Sequence, residues 1–395
     1  FVGIAVGAGI MVSQYFGAKD KDQLSQTIGT CIMLTAFTSI IIMIVGPLVS
    51  RPLLELLNTP ASIIDWCAGY LNIFFLGIAG FSYYNILAGV LRGLGDSVSA
   101  LVFLLISTVL NVVLDILFVA VFHMGVPGVA LATVIAQGVS AIFCLLKLLK
   151  MKEHFDLNWS MLKINRELSI KVIKLGLPSG LTQAIFSMAM IVVQSLTNSF
   201  GEMVIAANVI IMRVDGFAMM PNFSFGNAMT TFAGQNIGAK RMDRVDEGTK
   251  HGVAMAVGVS AVITALLLLF GHHLMMVFTG TPELVDFSVR MLRILAVGYV
   301  AVAVTQSLSG VMRGAGDTMT PMWISLITTV GLRVPVAYGL AYLTRGELYP
   351  TGRPESIFIS LLISWTLGSV ITSAFYKKGA WRRKDITRDF RGEAA

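Results

Sequence analysis

Asp115 is the residue whose placement most calls for chemistry. It lies in the run 97–121, which is otherwise apolar, and Asn111 precedes it by four residues, so on a helix the two side chains share one face. A carboxylate at the centre of a membrane helix costs roughly 2.5–3.5 kcal/mol on insertion scales, and acids found there mark ion pathways. Asp115 and Asn111 together offer two or three oxygens to a hard cation such as sodium. Thr133, on the following apolar run, adds a hydroxyl. Desolvation of the carboxylate suits a proton carrier equally well. The bland reading is a hydrogen-bonded pair that pins two helices together.

All of this requires a membrane, and the composition supplies one. Of 395 residues, 55% are hydrophobic and 13% charged, whereas a soluble domain carries about a quarter charged residues. Residues 28–49, 66–91, 124–146, 175–201, 294–312 and 356–376 contain no Asp, Glu, Lys or Arg. Each is close to or above the ~20 residues a helix needs to cross a ~30 Å hydrocarbon core. Backbone amides in lipid must be satisfied within their own segment, so these runs are helices. Ten spans are expected, near 28–49, 66–91, 97–121, 127–147, 175–200, 204–235, 252–276, 288–312, 319–343 and 356–376, with residues 1–16 as the end of another. Cys31, Cys67 and Cys144 fall inside apolar runs, without the spacing of a metal site or a disulfide framework.

Basic residues orient the bundle. Alternate loops, the stretch after the fourth span and the C-terminal tail hold 22 of the 29 Lys and Arg. Positive loops stay cytoplasmic, which places the C-terminus inside. The net charge of +7 is thereby explained by topology, and no nucleic-acid partner is expected.

The chain also repeats itself. Gln14, Gly17, Ala18 and Lys19 recur as Gln235, Gly238, Ala239 and Lys240; Arg92, Gly93, Gly95 and Asp96 recur as Arg313, Gly314, Gly316 and Asp317, always 221 residues on. Two halves of like orientation follow, as in transporters built from parallel repeats. In this register Phe1 aligns with Asn222, behind the whole span 175–201. One helix and most of a second are therefore expected upstream of Phe1. The paired Arg-Gly-x-Gly-Asp segments follow no strand and read as tight turns whose Arg and Asp stabilise helix ends, not as phosphate cradles.

The pieces Gln14–Lys19, Leu91–Asp96, Asn111–Asp115, Gly128–Thr133, Leu175–Pro178 and Met312–Asp317, in this order and spacing, resemble the MATE family, the multidrug and toxic compound extrusion transporters, across the whole chain. The resemblance implies an all-α polytopic membrane protein of two pseudo-symmetric six-helix bundles around a central cleft. Here the first helix and most of the second would be missing. It implies export of cationic or amphipathic organic compounds, driven by inward sodium or proton flow. In the branch resembling the DNA-damage-inducible F type, the cation site lies in the N-terminal lobe. Asn111, Asp115 and Thr133 match three of its members, and an acid on the first helix would fall upstream of Phe1. Another branch places acids in the C-terminal lobe, but the helix from Leu175 to Phe200 has none.

The organisation expected is an incomplete N-terminal lobe at 1–149, a cytoplasmic linker at 150–174, a C-terminal lobe at 175–378 and a basic cytoplasmic tail at 379–395. The linker interleaves Phe155, Leu157 and Trp159 with its basic residues; it reads as a surface-lying or a solvated segment. Tyr70, Tyr84, Asn85, Gln137 and Gln183 are polar or aromatic groups within apolar spans, candidates for a cleft that binds flat cations or for bonds between helices. Arg213, Asp215 and Arg333 are charges within spans, read as structural pins or gating contacts. Arg213 and Asp215, two residues apart, do not face one another.

Two other functions are weighed. A lipid-linked precursor flippase needs a basic cleft for pyrophosphate, and the span interiors offer Arg213 and Arg333 against Asp115 and Asp215. An intramembrane enzyme needs a nucleophile with a base, or clustered metal ligands, while His123, His154, His251, His272 and His273 all sit in loops or at span ends. The expected protein is a monomeric, non-enzymatic antiporter in a bacterial or archaeal cytoplasmic membrane. Its partners are a small-molecule substrate and the bilayer. It has no cofactor beyond a coupling Na+ or H+.

Overall fold

The computed structural model describes residues 1–151, 153, 155–156, 161–347 and 349–386. Leu157, Trp159, His154 and the tail from 387 onward lie outside the described residues. The chain divides into two compact units, Phe1–Leu177 and Pro178–Ala395.

The first unit contains α1 (Val2–Gly17), α2 (Lys21–Leu56), α3 (Ile64–Leu76), α4 (Ile78–Gly93), α5 (Ser97–Ile116) and α6 (Val126–Lys150); α5 runs on into a π-helical stretch, Leu117–Val121. The first turns of α7 (Arg166–Ser199) also belong to it. The second unit contains the rest of α7, then α8 (Glu202–Gly238), α9 (Met242–Met276), α10 (Pro282–Ala296), α11 (Gly298–Gly314), α12 (Met319–Leu326), the π-helical stretch Ile327–Arg333, α13 (Val334–Leu343) and α14 (Glu355–Lys378). Among the described residues 8 helices are long and apolar enough to cross a membrane, and two bent pairs bring the number to 10. The outward sides of these helices are lined with exposed Leu, Ile, Val and Phe, for example Leu48, Val98, Val109 and Ile191. So much contiguous apolar surface belongs in lipid. The protein is an all-α polytopic membrane protein.

The expected spans coincide with these helices, with two refinements. The runs 66–91 and 288–312 are each broken, by 51° between α3 and α4 and by 41° between α10 and α11. Gly77 and Gly298, equivalent in the repeat, sit at the breaks. A Cβ on Gly298 would stand 2.6 Å from the Trp365 ring, and one on Gly77 would collide with Val134. The stretch expected as linker turns helical at Arg166. Asn165 Oδ1 accepts the backbone N–H of Glu167 at 3.0 Å and of Leu168 at 3.3 Å, which satisfies orphan donors of the first turn.

The repeat is visible in backbone detail. Lys19 and Lys240 both take left-handed conformations, φ 56° and 57°, and Gly95 and Gly316 take φ 94° and 96°. Asp96 Oδ1 accepts the Ser99 N–H at 3.0 Å and its Oδ2 the Ser99 hydroxyl at 2.7 Å. Asp317 does the same with Thr320, at 3.3 and 2.7 Å. The two Arg-Gly-x-Gly-Asp segments are thus turns that cap helices. Helix pairs match as well. A Cβ on Gly89 would lie 2.6 Å from the Ala5 carbonyl and one on Gly93 2.7 Å from the Gly9 carbonyl, joining α4 to α1. The equivalent glycines Gly310 and Gly314 press α11 onto the carbonyls of Gly226 and Thr230 in α8.

Beyond α14 the chain does not simply trail away. Trp381 is buried against Met229, Ala233, Ile237, Val245, Val311 and Met312. It stacks on Tyr376 at 5.1 Å and donates its indole N–H to the Tyr376 carbonyl at 2.9 Å. Arg382 lies over the Trp381 ring and pairs with Asp246 on α9. In the first unit Phe155 is buried, the Asp156 N–H donates to Ser25 Oγ at 3.0 Å and Lys21 pairs with Asp156 at 3.1 Å. Ser25 and Asp246 are equivalent in the repeat.

Two stability measurements follow. Gly93→Val should destabilise by about 1–3 kcal/mol through overpacking against the α1 backbone, whereas Gly258→Ala, with open space around it, should leave the thermal midpoint in detergent unchanged. Burial alone would push the Asp96 carboxyl up, but the Ser99 N–H and hydroxyl and the Lys147 ammonium at 3.2 Å outweigh it and hold the group below its ordinary value. A depressed folded-state value means that the cap stabilises above the usual carboxylate range, near pH ~4, and is lost as pH falls through the folded value. Asp96→Ala should therefore cost about 1 kcal/mol at neutral pH, and the gap to the parent should narrow in acid.

Candidate functional site

The face of α5 that meets α6 is a ladder of polar rungs. Ser140 Oγ donates to the Phe103 carbonyl at 2.8 Å and Ser107 Oγ to the Ala136 carbonyl at 2.9 Å. One turn further, Asn111 Nδ2 donates to Thr133 Oγ1 at 3.4 Å, and Thr133 Oγ1 donates to its own helix at Val129, 3.0 Å away. Next the backbones close in: a Cβ on Gly128 would lie 3.0 Å from that of Phe118. Asp115 falls between these last two rungs. Val113, on the far side of α5, is exposed to the surroundings, whereas Asp115 Oδ1 is buried.

Asp115 Oδ1 is sealed from solvent and has no hydrogen-bond partner. None of the ion pairs among the described residues involves Asp115. The amide carbonyl of Asn111 is left free by the bond its NH2 makes, and Thr133 Oγ1, with its one proton given to Val129, keeps a lone pair. Consecutive turns of this face therefore carry one carboxylate and, one turn away, two neutral oxygens. Among the described residues no group of three or more His, Cys, Asp and Glu gathers as metal ligands. One acid with neutral oxygen donors fits a monovalent hard cation or a proton better than a multivalent metal. The π-helical stretch begins two residues after Asp115; such interruptions of the helical ladder recur at functional positions.

Of the three residues singled out in the sequence, Asn111 and Thr133 are bonded, and Asp115 follows Asn111 by one turn of α5. The other candidates scatter. Tyr84 is buried and donates to the Ala100 carbonyl at 3.3 Å. Asn85 donates back to Phe81 in its own helix at 2.8 Å. Tyr70 stacks on Phe74 at 6.4 Å. Gln137 has a buried Oε1 without a partner, and Gln183 is exposed on α7. Arg213 is exposed and makes no ion pair among the described residues, whereas Asp215, two residues on, turns inward.

Asp215 has company that the sequence did not point out. Tyr299 of α11 and Arg333 of the second π-helical stretch both act on it electrostatically. Tyr299 was concealed because a single Tyr in an apolar run has no spacing signal. Its neighbours Asn222 and Ser260 form a buried relay: Ser260 Oγ donates to Asn222 Oδ1 at 2.7 Å, and Asn222 Nδ2 to the Tyr299 carbonyl at 3.3 Å.

A membrane bundle built twice on one plan, with an acid oxygen sealed inside the first copy, defines a polytopic membrane transporter. The chain belongs to the MatE family, whose model matches residues 1–117 and 178–339. It is 29% identical over 396 residues to the probable multidrug resistance protein YoeA of Bacillus subtilis, covering 98% of this chain and 84% of the relative. To the probable multidrug resistance protein YpnP of the same organism it is 31% identical over 374 residues, covering 94% and 81%. In fold it is similar to an outward-facing multidrug resistance MATE family transporter of the MOP superfamily, with TM-score 0.89 at 21% identity, covering 97% of this chain and 85% of that one.

Replacing Asn111 by Leu should release Thr133 and remove one of the three site oxygens. The expected outcome is a severalfold weaker response of the protein's thermal midpoint to added sodium, or to pH if the proton is the ligand, with an unchanged midpoint in their absence.

Proposed function

We propose that this protein is a cation-coupled antiporter that exports cationic or amphipathic organic compounds by alternating access, with Asp115 as the coupling group. The observation that carries this reading is the sealed, unpartnered Oδ1 of Asp115, one helical turn from Asn111, which is itself bonded to Thr133, inside a membrane bundle. An ionised acid kept in hydrocarbon without a partner is unfavourable by several kcal/mol. Binding Na+ or H+ relieves that cost, and releasing the ion restores it. Loading at one side of the membrane and unloading at the other then couples an ion gradient to rearrangement of the bundle.

The multidrug names carried by YoeA and YpnP support the substrate class, as does the absence of a basic surplus among the charges inside the spans. The basic residues of alternate loops and of the segment after α14 support a cytoplasmic C-terminus in the cell membrane. Met-rich spans, with 21 Met in the chain, supply an adaptable apolar surface for varied organic cations.

The test is efflux of a fluorescent organic cation from proteoliposomes holding the whole protein, under imposed sodium or pH gradients. Asp115→Asn should abolish the response to the gradient that drives the parent, while binding of the dye persists. Thr133→Val should raise the ion concentration needed for half-maximal efflux severalfold. Efflux by Asp115→Asn as fast as the parent under both gradients would refute the assignment.

A further inference from the structure

Among the polar atoms of the C-terminal unit that are sealed from solvent without a partner in hydrogen-bond geometry are Asp215 Oδ1, the Tyr299 hydroxyl and Arg333 Nε. They come from α8, α11 and the second π-helical stretch, so three separate segments converge on one spot. The groups feel one another electrostatically, yet no contact ion pair joins Asp215 to Arg333 among the described residues. The surroundings are otherwise largely apolar, apart from the Ser260–Asn222 pair that bonds the Tyr299 carbonyl. Tyr299 is fully buried and packs against Trp365, ring centroids 5.7 Å apart.

Other charges on the neighbouring elements face elsewhere. Glu283, Asp286, Arg290 and Arg293 of α10 are exposed, as are His272 and His273 of α9 and Arg213 of α8. Glu355 of α14 faces Arg290 at 3.7 Å. What faces Asp215 is one phenol and one guanidinium.

Residues flanking all three groups share one packed cluster, Ile211 and Ala218 of α8, Tyr299 itself and Val334 next to Arg333, and the Tyr299 hydroxyl interacts with the Asp215 carboxylate, while Asp215 Oδ1 and Arg333 Nε are left without a partner in bonding geometry. Buried polar groups in native proteins are bonded in the great majority of cases, and a buried water typically makes about three hydrogen bonds to groups of this kind. We propose that Asp215, Tyr299 and Arg333 hold a bound water molecule, a charge-compensated centre that admits water and protons and excludes metal cations. The water accepts from Arg333 Nε–H, donates to Asp215 Oδ1 and exchanges a bond with the Tyr299 hydroxyl. The fixed positive charge of the guanidinium, which stays protonated in proteins, repels a sodium ion that the lone acid of the first unit would welcome. The inference concerns residues of the second unit alone and stands whether or not Asp115 couples transport.

X-ray radiolytic footprinting of the whole protein in nanodiscs tests it, because radicals born at a bound water oxidise the side chain beside it. Phe358 is the control: it is buried in the same apolar cluster as Tyr299 and has no orphaned polar atom. Tyr299 should be oxidised severalfold faster than Phe358. Asp215→Leu and Arg333→Met should each bring Tyr299 down towards the Phe358 rate. Replacing choline chloride by sodium chloride should leave the Tyr299 rate unchanged. Equal rates for Tyr299 and Phe358 in the parent, a comparison that needs no variant, would overturn the proposal. So would suppression of Tyr299 oxidation by sodium but not by choline.

Discussion

A polar atom in a hydrocarbon layer has no solvent to fall back on, and that single constraint governs nearly every side chain in the two units. Hydroxyls meet it locally: Thr35, Ser82, Thr108, Thr182 and Thr249 all donate to the carbonyl one turn earlier in their own helix. A smaller set reaches across, as Ser107, Ser140, Thr264 and Ser364 do, tying helices together through backbone carbonyls. Against these local solutions, an acid with a sealed and unbonded oxygen is conspicuous, because an ionised group costs far more to leave unpaired than a hydroxyl. Two such acids stand inside spans, Asp115 and Asp215, while a third, Glu355, opens α14 and reaches Arg290 through its other oxygen.

Much of this was legible in the residues. The spans follow from charge-free length, and the 221-residue repeat anticipated paired turns that proved alike to within a few degrees at Gly95 and Gly316. Asn111, Asp115 and Thr133 were readable because a four-residue spacing is a geometric statement once the helix is granted. Other features had no local signature. The breaks at Gly77 and Gly298 interrupt runs that are apolar on both sides, so hydropathy passes over them, and only the clash awaiting a Cβ shows why glycine is there. The inward turn of Asp215 beside an outward Arg213 depends on which helices surround α8. The burial of Trp381 was masked by the basic residues around it, which read as a solvated tail.

The repeat fixes the scaffold but not its chemistry. Val336 stands where the register would place the counterpart of Asp115, and Arg333 lies on that same span. Comparable spans thus carry charges of opposite sign, each beside a π-helical stretch: Asp115 just before Leu117–Val121, Arg333 at the end of Ile327–Arg333. Pro335 contributes to the second irregularity, since its missing N–H cannot bond the carbonyl four residues back. Two copies of one fold can in this way be tuned separately, because side chains inside a bundle are changed without disturbing the glycines and caps that shape it.

Those glycines carry a mechanical consequence. Where Gly89 and Gly93 lay α4 directly on α1, and Gly310 and Gly314 lay α11 on α8, main chain touches main chain, with no layer of long side chains between them to change rotamer and absorb displacement. Each such couple must travel as a single beam. Compliance is left to the joints where the regular ladder is already interrupted, namely the bends at Gly77 and Gly298 and the two over-wide turns beside the buried charges, so the acid and the guanidinium sit next to the parts of the scaffold with the most freedom to flex.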